Sequence, residues 1–516
     1  MEFNNPSEIV KDLHFGGSAQ QKIMSGVEKL SKAVSSTLGA SGKCVIYEDG
    51  TGRPIVTKDG VTVANSVILM DPSENIGATL IKEAAQQTVK EAGDGTTTST
   101  VLAHSILKNY INSNEKDIRK IKEDILLAVD KTIKYLDKVA IPLKDGMLEH
   151  VANISTNNDK ILGKLIANAY KEVGKDGVVL MEESDDDQTY IEIVDGVKFD
   201  SGLKSQHLVT DKEKNKAVLE NPLILLVDTE IETIRKIQSV LEYAIKNKRS
   251  ILIIGPVGAQ PLSALIMNKA KGNIKVNIID PPGFSNLRKE MLDDLAAVTG
   301  AKVINEELGD DLDLIDESVL GEAIKVVTDE RDTIITTKEI NDSTKERIKT
   351  IEKRAKEEKN PYLQKKLSDR KAMLSGGVGI IYVGANSKVE LKEKKDRVED
   401  AIYAVKAALK EGIVSGAGVA FYNAADNIKA NSIGEKILLQ SIKSPFYTIL
   451  QNGGIDAPEK IDKGKGIDVT SGKYVNMIKS GIIDPVLVTK TALKNAASVA
   501  TTIMSADCVI ANVREQ

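Results

Sequence analysis

The sequence predicts a multidomain protein of α and α/β character, in which an α/β domain is inserted into a mostly helical one. Three observations predict it. At 516 residues the chain exceeds the roughly 250 to 300 at which single hydrophobic cores stop growing, so two or three domains are expected. Apolar residues recur at helical spacing near the N-terminus and again towards the C-terminus. Between those regions, short apolar runs alternate with helical segments, as in a sheet layered with helices.

In chain order, residues 1–140 read as mostly helical. Ile76, Leu80, Ala84 and Thr88 recur every four positions, with Gly77, Ile81 and Ala85 beside them, giving one helix a wide apolar band. A second periodic run follows Gly95 with Val101, Leu102, Ile106 and Leu107, so "GDGTTT" is a loop and the first turn of the next helix. In "VTKDGVTVAN" (56–65), Asp59 and Gly60 fall between two β-rich runs, which predicts a hairpin turn. From 190 to 330 the runs "LILLV" (223–227), "ILII" (251–254) and "VNII" (276–279) predict strands. Pro261 opens a helix that spaces Leu262, Leu265 and Ile266 at i, i+3 and i+4, with Met267 alongside. The charged stretch 343–374, with sparse Ile348, Ile351, Leu363 and Leu367 and a break at Pro361, predicts two solvated helices. Gly196 on one side and Gly376-Gly377 on the other flank the insertion, as hinges or as plain turns. Helical periodicity then returns with Val398, Ala401, Ile402, Val405 and Leu409.

Composition excludes several function classes. Lys plus Arg number 70 against 75 Asp plus Glu, a formal charge of -5, so there is no basic field for nucleic acid or an anionic membrane. Cys44 and Cys508 match no metal spacing, and a reducing compartment is the simplest setting. The N-terminus carries Glu2, Glu8 and Asp12 and no apolar run, so neither a signal nor a transit peptide is expected; no run approaches the ~20 apolar residues that span a bilayer. A soluble, cytoplasmic protein is expected.

Chemistry concentrates in a few stretches. In "EAGDGTTTST" (91–100), Gly93 and Gly95 allow close backbone approach, and Thr96, Thr97 and Thr98 set hydroxyls at a helix start whose dipole favours anions. Asp94 is an oxygen ligand of the type that holds a phosphate-bridging Mg²⁺, although a capped turn between helices would read the same way. GxxxxGK[ST] is absent. In "EKKDRVEDAIYAV" (393–405), Asp396, Arg397 and Asp400 lie opposite Val398, Ala401 and Val405, either as a solvated face or as working groups. "SGAG" (415–418) is a lone glycine-rich turn.

Taken in order, "TLGASGK" (37–43), "VTKDGV" (56–61), "AGDGTTT" (92–98), "NIS" (153–155), "LSGGVGIIYVGA" (374–385), "KEKKDRVEDA" (392–401), "EGIVSGAGVA" (411–420) and "GIIDP" (481–485) resemble the group I chaperonins, the sixty-kilodalton, GroEL-like family. The resemblance is collinear over nearly the whole chain. It implies an ATP-hydrolysing folding isomerase with an equatorial domain in two parts (1–137 and 411–516), an intermediate domain in two parts (138–194 and 377–410) and an inserted α/β apical domain (195–376) that captures non-native proteins. It also implies a homo-oligomeric, seven-subunit ring, single or double, a co-chaperonin lid, and ATP, Mg²⁺ and K⁺ as cofactors.

Carried over position by position, the resemblance puts Thr37, Leu38 and Gly39 in the nucleotide pocket, with Asp94 on Mg²⁺ and Gly95, Thr96, Thr97 and Thr98 around the phosphates. Thr37 and the Lys58 carbonyl would lie near K⁺, Asp59 and Asp400 would orient and polarise the attacking water, and Asp484 would take the ribose. Ser155, Gly416, Ala417 and Asp468 complete the nucleotide set. Leu203, His207, Leu208, Gln238, Leu241, Leu262, Ile266 and Met267 would bind clients, with Leu262, Ile266 and Met267 facing a groove shared with Leu241. The chain departs from the family pattern at Ala40 and Ser41 (Pro-Lys), Ala417 (glycine), Asp468 (asparagine), the usually aromatic Leu203, His207 and Leu208, Gln238 (leucine) and Tyr447 (a ring-joining arginine), and it ends without a Gly/Met-rich tail. A small-molecule phosphotransferase would need a second-substrate constellation that the sequence lacks, and a non-hydrolysing scaffold would have no use for Asp59, Asp94 and Asp400 together.

Overall fold

The computed structural model describes residues 10–156, 158–174, 177–184, 186–212, 214–283, 286–337, 342–358 and 360–513. Glu2 and Glu8 of the acidic N-terminal stretch lie outside them. Two compact units result, one from residues 1–168, 183–189 and 383–516, the other from 169–182 and 190–382.

The first unit is a helical bundle around Gly16–Ser35, Pro72–Ala92, Thr96–Ser113, Ile118–Val139, Ile433–Ser441 and Val486–Met504. Asp71 starts Pro72–Ala92 by accepting from the Ser73 and Glu74 N–H groups, with Pro72 in the first turn where its missing N–H costs nothing. The predicted band is present: Gly77, Ile81, Ala85 and Thr88 are buried, whereas Ile76 and Leu80 pack at its edge. Backbones touch where this helix crosses Gly16–Ser35. A Cβ on Gly26 would stand 1.8 Å from the Glu74 carbonyl oxygen, and one on Gly77 2.3 Å from that of Ile23. Val486–Met504 packs through Ala492, Ala496, Ala497 and Ala500 against the same core. At the periphery, Lys11–Phe15 pairs antiparallel with Cys508–Asn512, joining the two ends of the described chain. Cys44 is exposed and Cys508 half-buried, both as free thiols.

Asp59 and Gly60 do not form the predicted hairpin turn. The hairpin lies earlier, between Val45–Glu48 and Pro54–Thr57, where the Asp49 carboxylate accepts from the Thr51 and Arg53 N–H groups. Asp59 instead caps the helix Gly60–Ser66, its two oxygens accepting from Val61 N–H at 3.1 Å and Thr62 N–H at 2.7 Å.

In the second unit the apolar runs are strands, as predicted, and the structure pairs them parallel. Leu223–Val227, Ile251–Ile254 and Val276–Ile279 lie side by side, with Val303–Ile304 parallel on the far edge and Gly321–Glu322 antiparallel to Leu223–Val227. All residues of the three central strands are buried, because helices cover both faces. A six-stranded sheet of Val178–Glu183, Gly377–Val383, Tyr190–Phe199, Thr333–Thr337, Lys325–Thr328 and Ala217–Glu220, in that spatial order, completes the unit. Gly196 and Gly377 are neither hinge nor turn. They sit in neighbouring strands, Gly377 opposite Asp195 and Gly196 opposite Thr336, and the crossings between the units fall elsewhere.

The charged helices Asp342–Glu357 and Pro361–Ser375 form on either side of the predicted break, but they are not merely solvated. Asp294, fully buried on Asn286–Thr299, accepts from Arg347 Nε at 2.6 Å and from Arg370 Nε at 2.7 Å, and Arg354 and Arg370 also reach Glu290. Ile351, Leu367 and Leu374 fill in beneath. Among the described residues no helix is long and apolar enough to cross a membrane.

Removing one partner of a buried ion pair strands the other's charge. Asp294→Ala should therefore destabilise the second unit by about 3 to 5 kcal/mol in urea unfolding. Arg119→Ala, breaking the exposed i,i+4 pair with Glu123 in the first unit, should change the stability of that unit by no more than ~0.5 kcal/mol.

Candidate functional site

A cavity of ≈ 330 Å³ opens in the helical unit where several loop-to-helix transitions meet. The first wall is the loop after Gly16–Ser35. Thr37 hydroxyl donates to the Val34 carbonyl at 2.8 Å and lies 3.4 Å from the Thr97 hydroxyl, while Asn452 Nδ2 donates to the Ser35 and Leu38 carbonyls and fastens the loop. Gly39, at φ +85, carries no Cβ where one would press on Ile449.

The second wall is the Gly93-Asp94-Gly95 turn. Gly93 ends Pro72–Ala92 in the left-handed region at φ 76 and Gly95 begins Thr96–Ser113 at φ 99. No side chain caps Thr96–Ser113, so the N–H groups of its first turn are available to a ligand that lines the cavity with Thr96, Thr97 and Thr98. Gly60 permits close contact on the opposite side: a Cβ there would be 2.3 Å from the Thr97 hydroxyl.

Asp400 enters from Lys388–Glu411, whose Val398, Ala401 and Val405 are buried on the opposite face. That helix is registered by Tyr403, which lies against Gly93 so closely that a Cβ at 93 would be 2.3 Å from the ring's Cγ. The last wall joins the Gly416-Ala417-Gly418 turn to the strand Ile483–Pro485. Asp484 accepts from the Ala417 and Gly418 N–H groups.

Of the predicted site residues, Thr37, Leu38, Gly39, Lys58, Asp59, Asp94, Gly95, Thr96, Thr97, Thr98, Ser155, Asp400, Ala417, Asp468 and Asp484 all line this one cavity. Gly416 stands just behind the lining, where a Cβ would be 3.0 Å from Asp484 Oδ1. Asp468 is largely occupied with its own hairpin turn, accepting from Thr470 N–H at 3.0 Å and Ser471 hydroxyl at 2.6 Å. An apolar wall of Pro445, Ile449, Ile467, Val469 and Ile482, together with Asn158 and Gly60, was not read from the sequence. These residues come from separate segments with no local motif; only the glycine of "KDG" was a signal.

Electrostatics single out the acids. Dense protein around Asp400 raises its carboxyl well above the usual range, and the charges of Asp94 and Asp59 push the same way. Burial also raises Asp94, opposed by the Gly95 N–H and reinforced by Asp59. Asp484 is pushed up to about 7, by burial first and Asp94 second. Among the described residues no three His, Cys, Asp or Glu side chains converge tightly enough to cage a metal ion.

The positions predicted to bind clients belong to the second unit, and not all of them reach the surface. Leu208 and Leu241 are 0% and 7% exposed, sealed among Ile237, Val240 and Leu265, so neither faces a groove. They are buried because the strand Leu223–Val227 needs an apolar cover on this side. Leu203, Leu262 and Ile266 are half-buried against that cluster, and Met267 is exposed. His207 and Gln238 are exposed, Gln238 donating to Glu242 at 2.6 Å. Lys269 Nζ donates to the His207 and Val209 carbonyls and fixes this edge. Ile245, unread from the sequence, is also exposed here.

Residues 30–514 match the profile of the TCP-1/cpn60 chaperonin family. The chain belongs to that family. Among solved structures it is similar to the chaperonin gp146 from the bacteriophage EL 2 (Pseudomonas aeruginosa), crystallised in the presence of ATP-BeFx. One crystal form superposes with a TM-score of 0.72 at 21% identity and the other with 0.64 at 20%, each comparison covering 98% of this chain and 99% of that one. The chaperonin fold, with helical and α/β parts, is thereby shared.

An acid whose folded-state pKa is raised binds its proton more tightly folded than unfolded, so its contribution to stability is greatest at low pH and falls as pH rises. For Asp484, starting from the usual 3.8 and reaching about 7, that loss falls between pH 4 and 7. In nucleotide-free protein the melting temperature of wild type relative to Asp484→Asn should therefore decline from pH 5 to pH 8; a flat difference would contradict the buried placement.

Proposed function

We propose that this chaperonin is an ATPase subunit whose helical unit binds and hydrolyses ATP and whose α/β unit captures non-native proteins, working in the cytoplasm as a seven-subunit ring, single or double, with a co-chaperonin lid. The observation that carries the ATPase reading is the meeting of Asp59, Asp94 and Asp400, from three distant segments, with an uncapped helix N-terminus in one cavity. The family match and the phage chaperonin crystallised with ATP-BeFx support it. The equatorial (1–137, 411–516), intermediate (138–194, 377–410) and apical (195–376) division is part of the same reading.

Phosphoryl transfer needs positioning and charge compensation more than covalent chemistry. The N–H groups of Thr96, Thr97 and Thr98 would receive phosphate oxygens, with the Thr97 hydroxyl opposite Thr37. Asp94 would hold Mg²⁺, which when bound offsets the phosphate charge. Thr37 and the Lys58 carbonyl would take K⁺. Asp59, whose oxygens already accept two backbone N–H groups, would be a fixed acceptor, and Asp400 would be the base, its carboxyl raised by burial first and then by the charges of Asp94 and Asp59, which a bound cation would offset. Pro445, Ile449, Ile467 and Val469 offer an apolar wall to the base, and Ser155, Gly416, Ala417, Asp468 and Asp484 lie around base and sugar.

The reading is tested by phosphate release from ATP with and without an unfolded protein. Asp400→Ala should retain nucleotide binding and lose at least ~100-fold in turnover, as for loss of a water-positioning acid; equal losses of binding and turnover would remove that role.

Client capture would use exposed Met267 with the half-buried Leu262, Ile266 and Leu203, since Met and aliphatic side chains repack around many sequences. Leu262→Ser with Met267→Ser should abolish co-sedimentation of a denatured test protein while ATPase and assembly persist. A double variant that binds as wild type would place the client face elsewhere.

A further inference from the structure

The edge of the α/β unit that carries Met267 is cationic as well as apolar. Lys271 closes the helix Ala259–Ala270 in the right-handed region and donates its N–H to the carbonyl of exposed Met267 at 3.0 Å, so the lysine follows the methionine by one turn on the same face. Lys269 comes three residues after half-buried Ile266, and its ammonium group donates to the His207 and Val209 carbonyls at 3.0 and 2.9 Å. Its charge is therefore held in place. Lys212 belongs to the turn that follows Val209, which Asp211 and Lys216 close by exchanging backbone hydrogen bonds of 2.9 and 3.1 Å, and it is near enough for its charge to act on Lys269.

These three lysines lack counter-charges. Neighbouring Lys204 is paired with Asp280 and Lys236 with Glu306, whereas among the described residues no carboxylate pairs with Lys212, Lys269 or Lys271. That is unexpected in a chain with 75 acids and 70 bases. The acid nearest in sequence, Asp211, accepts from the Lys214 N–H at 3.1 Å and serves its own turn. The helix dipole accounts for a lysine at this end, but its roughly half a unit of charge is spread over the last turn and does not neutralise three ammonium groups. Burial first, and the charge of Lys212 second, hold the Lys269 ammonium below the usual lysine range. An arriving carboxylate would offset what the two lysines cost each other.

We propose that Lys212, Lys269 and Lys271 make this edge a selector among clients, favouring non-native segments in which aliphatic residues stand beside carboxylates. The aliphatic part covers Leu203, Leu262, Ile266 and Met267, and the acidic part meets the lysines. Apolar contact supplies tolerance of sequence, and the uncompensated charge supplies the preference. This rests on the reading of the α/β unit as the part that captures clients.

The test uses full-length protein and fluorescent peptides that share one Leu- and Ile-rich segment flanked by glutamates, serines or lysines, with binding followed by anisotropy. Wild type should bind the glutamate-flanked peptide about fivefold more tightly than the serine-flanked one at low salt, as for a few exposed ion pairs, and the lysine-flanked one most weakly. High salt should bring the three together, since exposed charges are screened. Lys212→Gln with Lys271→Gln, both at exposed positions, should erase most of the preference at an unchanged melting temperature, and Lys212→Glu with Lys271→Glu should reverse it. Three peptides that bind wild type equally, or a preference that survives both charge changes, overturn the proposal and leave the client reading standing. A single-stranded oligonucleotide that binds as tightly as the glutamate-flanked peptide also overturns it, by making the edge a general polyanion face. Wild type that binds none of the peptides would instead bring down the client reading itself.

Discussion

The rest of the helical unit depends on one electrostatic constraint: carboxylates from Asp59, Asp94, Asp400 and Asp484 share a poorly solvated cavity without a guanidinium or ammonium ion pair among the described residues. Burial first, and the repulsion of like charges second, raise the carboxyls of Asp94, Asp400 and Asp484 above the usual range. Such an arrangement survives only if the walls cannot move apart. Here they cannot, because the helices behind them meet backbone to backbone at Gly26 and Gly77 and through a run of alanines on Val486–Met504, leaving no side-chain layer to compress or expand. The site is thus an acidic cavity backed by closely packed helices.

The α/β unit meets the same problem with the opposite solution. Asp294 is as deeply buried as any acid among the described residues, yet Arg347 and Arg370 hold both of its oxygens. Its charge is satisfied internally, and the effect is to clasp two polar helices over Ile351, Leu367 and Leu374. A buried acid with partners makes architecture; a buried acid without them makes a place for something else to bind. The two units of one chain show both cases.

Much of this was legible in the sequence, and the failures have physical reasons. Periodicity located Pro72–Ala92, Thr96–Ser113 and the three central strands because burial imposes those spacings directly. The cavity residues Gly93 to Thr98 were legible as a motif because close backbone approach demands glycines, here set beside hydroxyls at consecutive positions. The apolar wall of Pro445, Ile449, Ile467 and Ile482 was not, since each residue alone is an ordinary core residue and only tertiary folding makes them neighbours. Asp59 was misread because an Asp-Gly pair serves a hairpin and a helix N-terminus equally well. The charged helices were misread because nothing in a run of lysines and glutamates marks which arginine points inward. Leu208 and Leu241 were placed outside by analogy, whereas the neighbouring strand needs them inside.

The contact of Tyr403 with Gly93 gives the acidic cavity a ruler. Asp94 follows the glycine by one residue, and Asp400 precedes the tyrosine by less than one turn of helix, so the ring resting on bare backbone meters the gap between the two acids. In-line chemistry loses orders of magnitude for a displacement of about 1 Å. The carbon atom missing from residue 93 is therefore the clearance that lets the Tyr403 ring stand where it does, and with it sets where Asp400 meets the cavity wall.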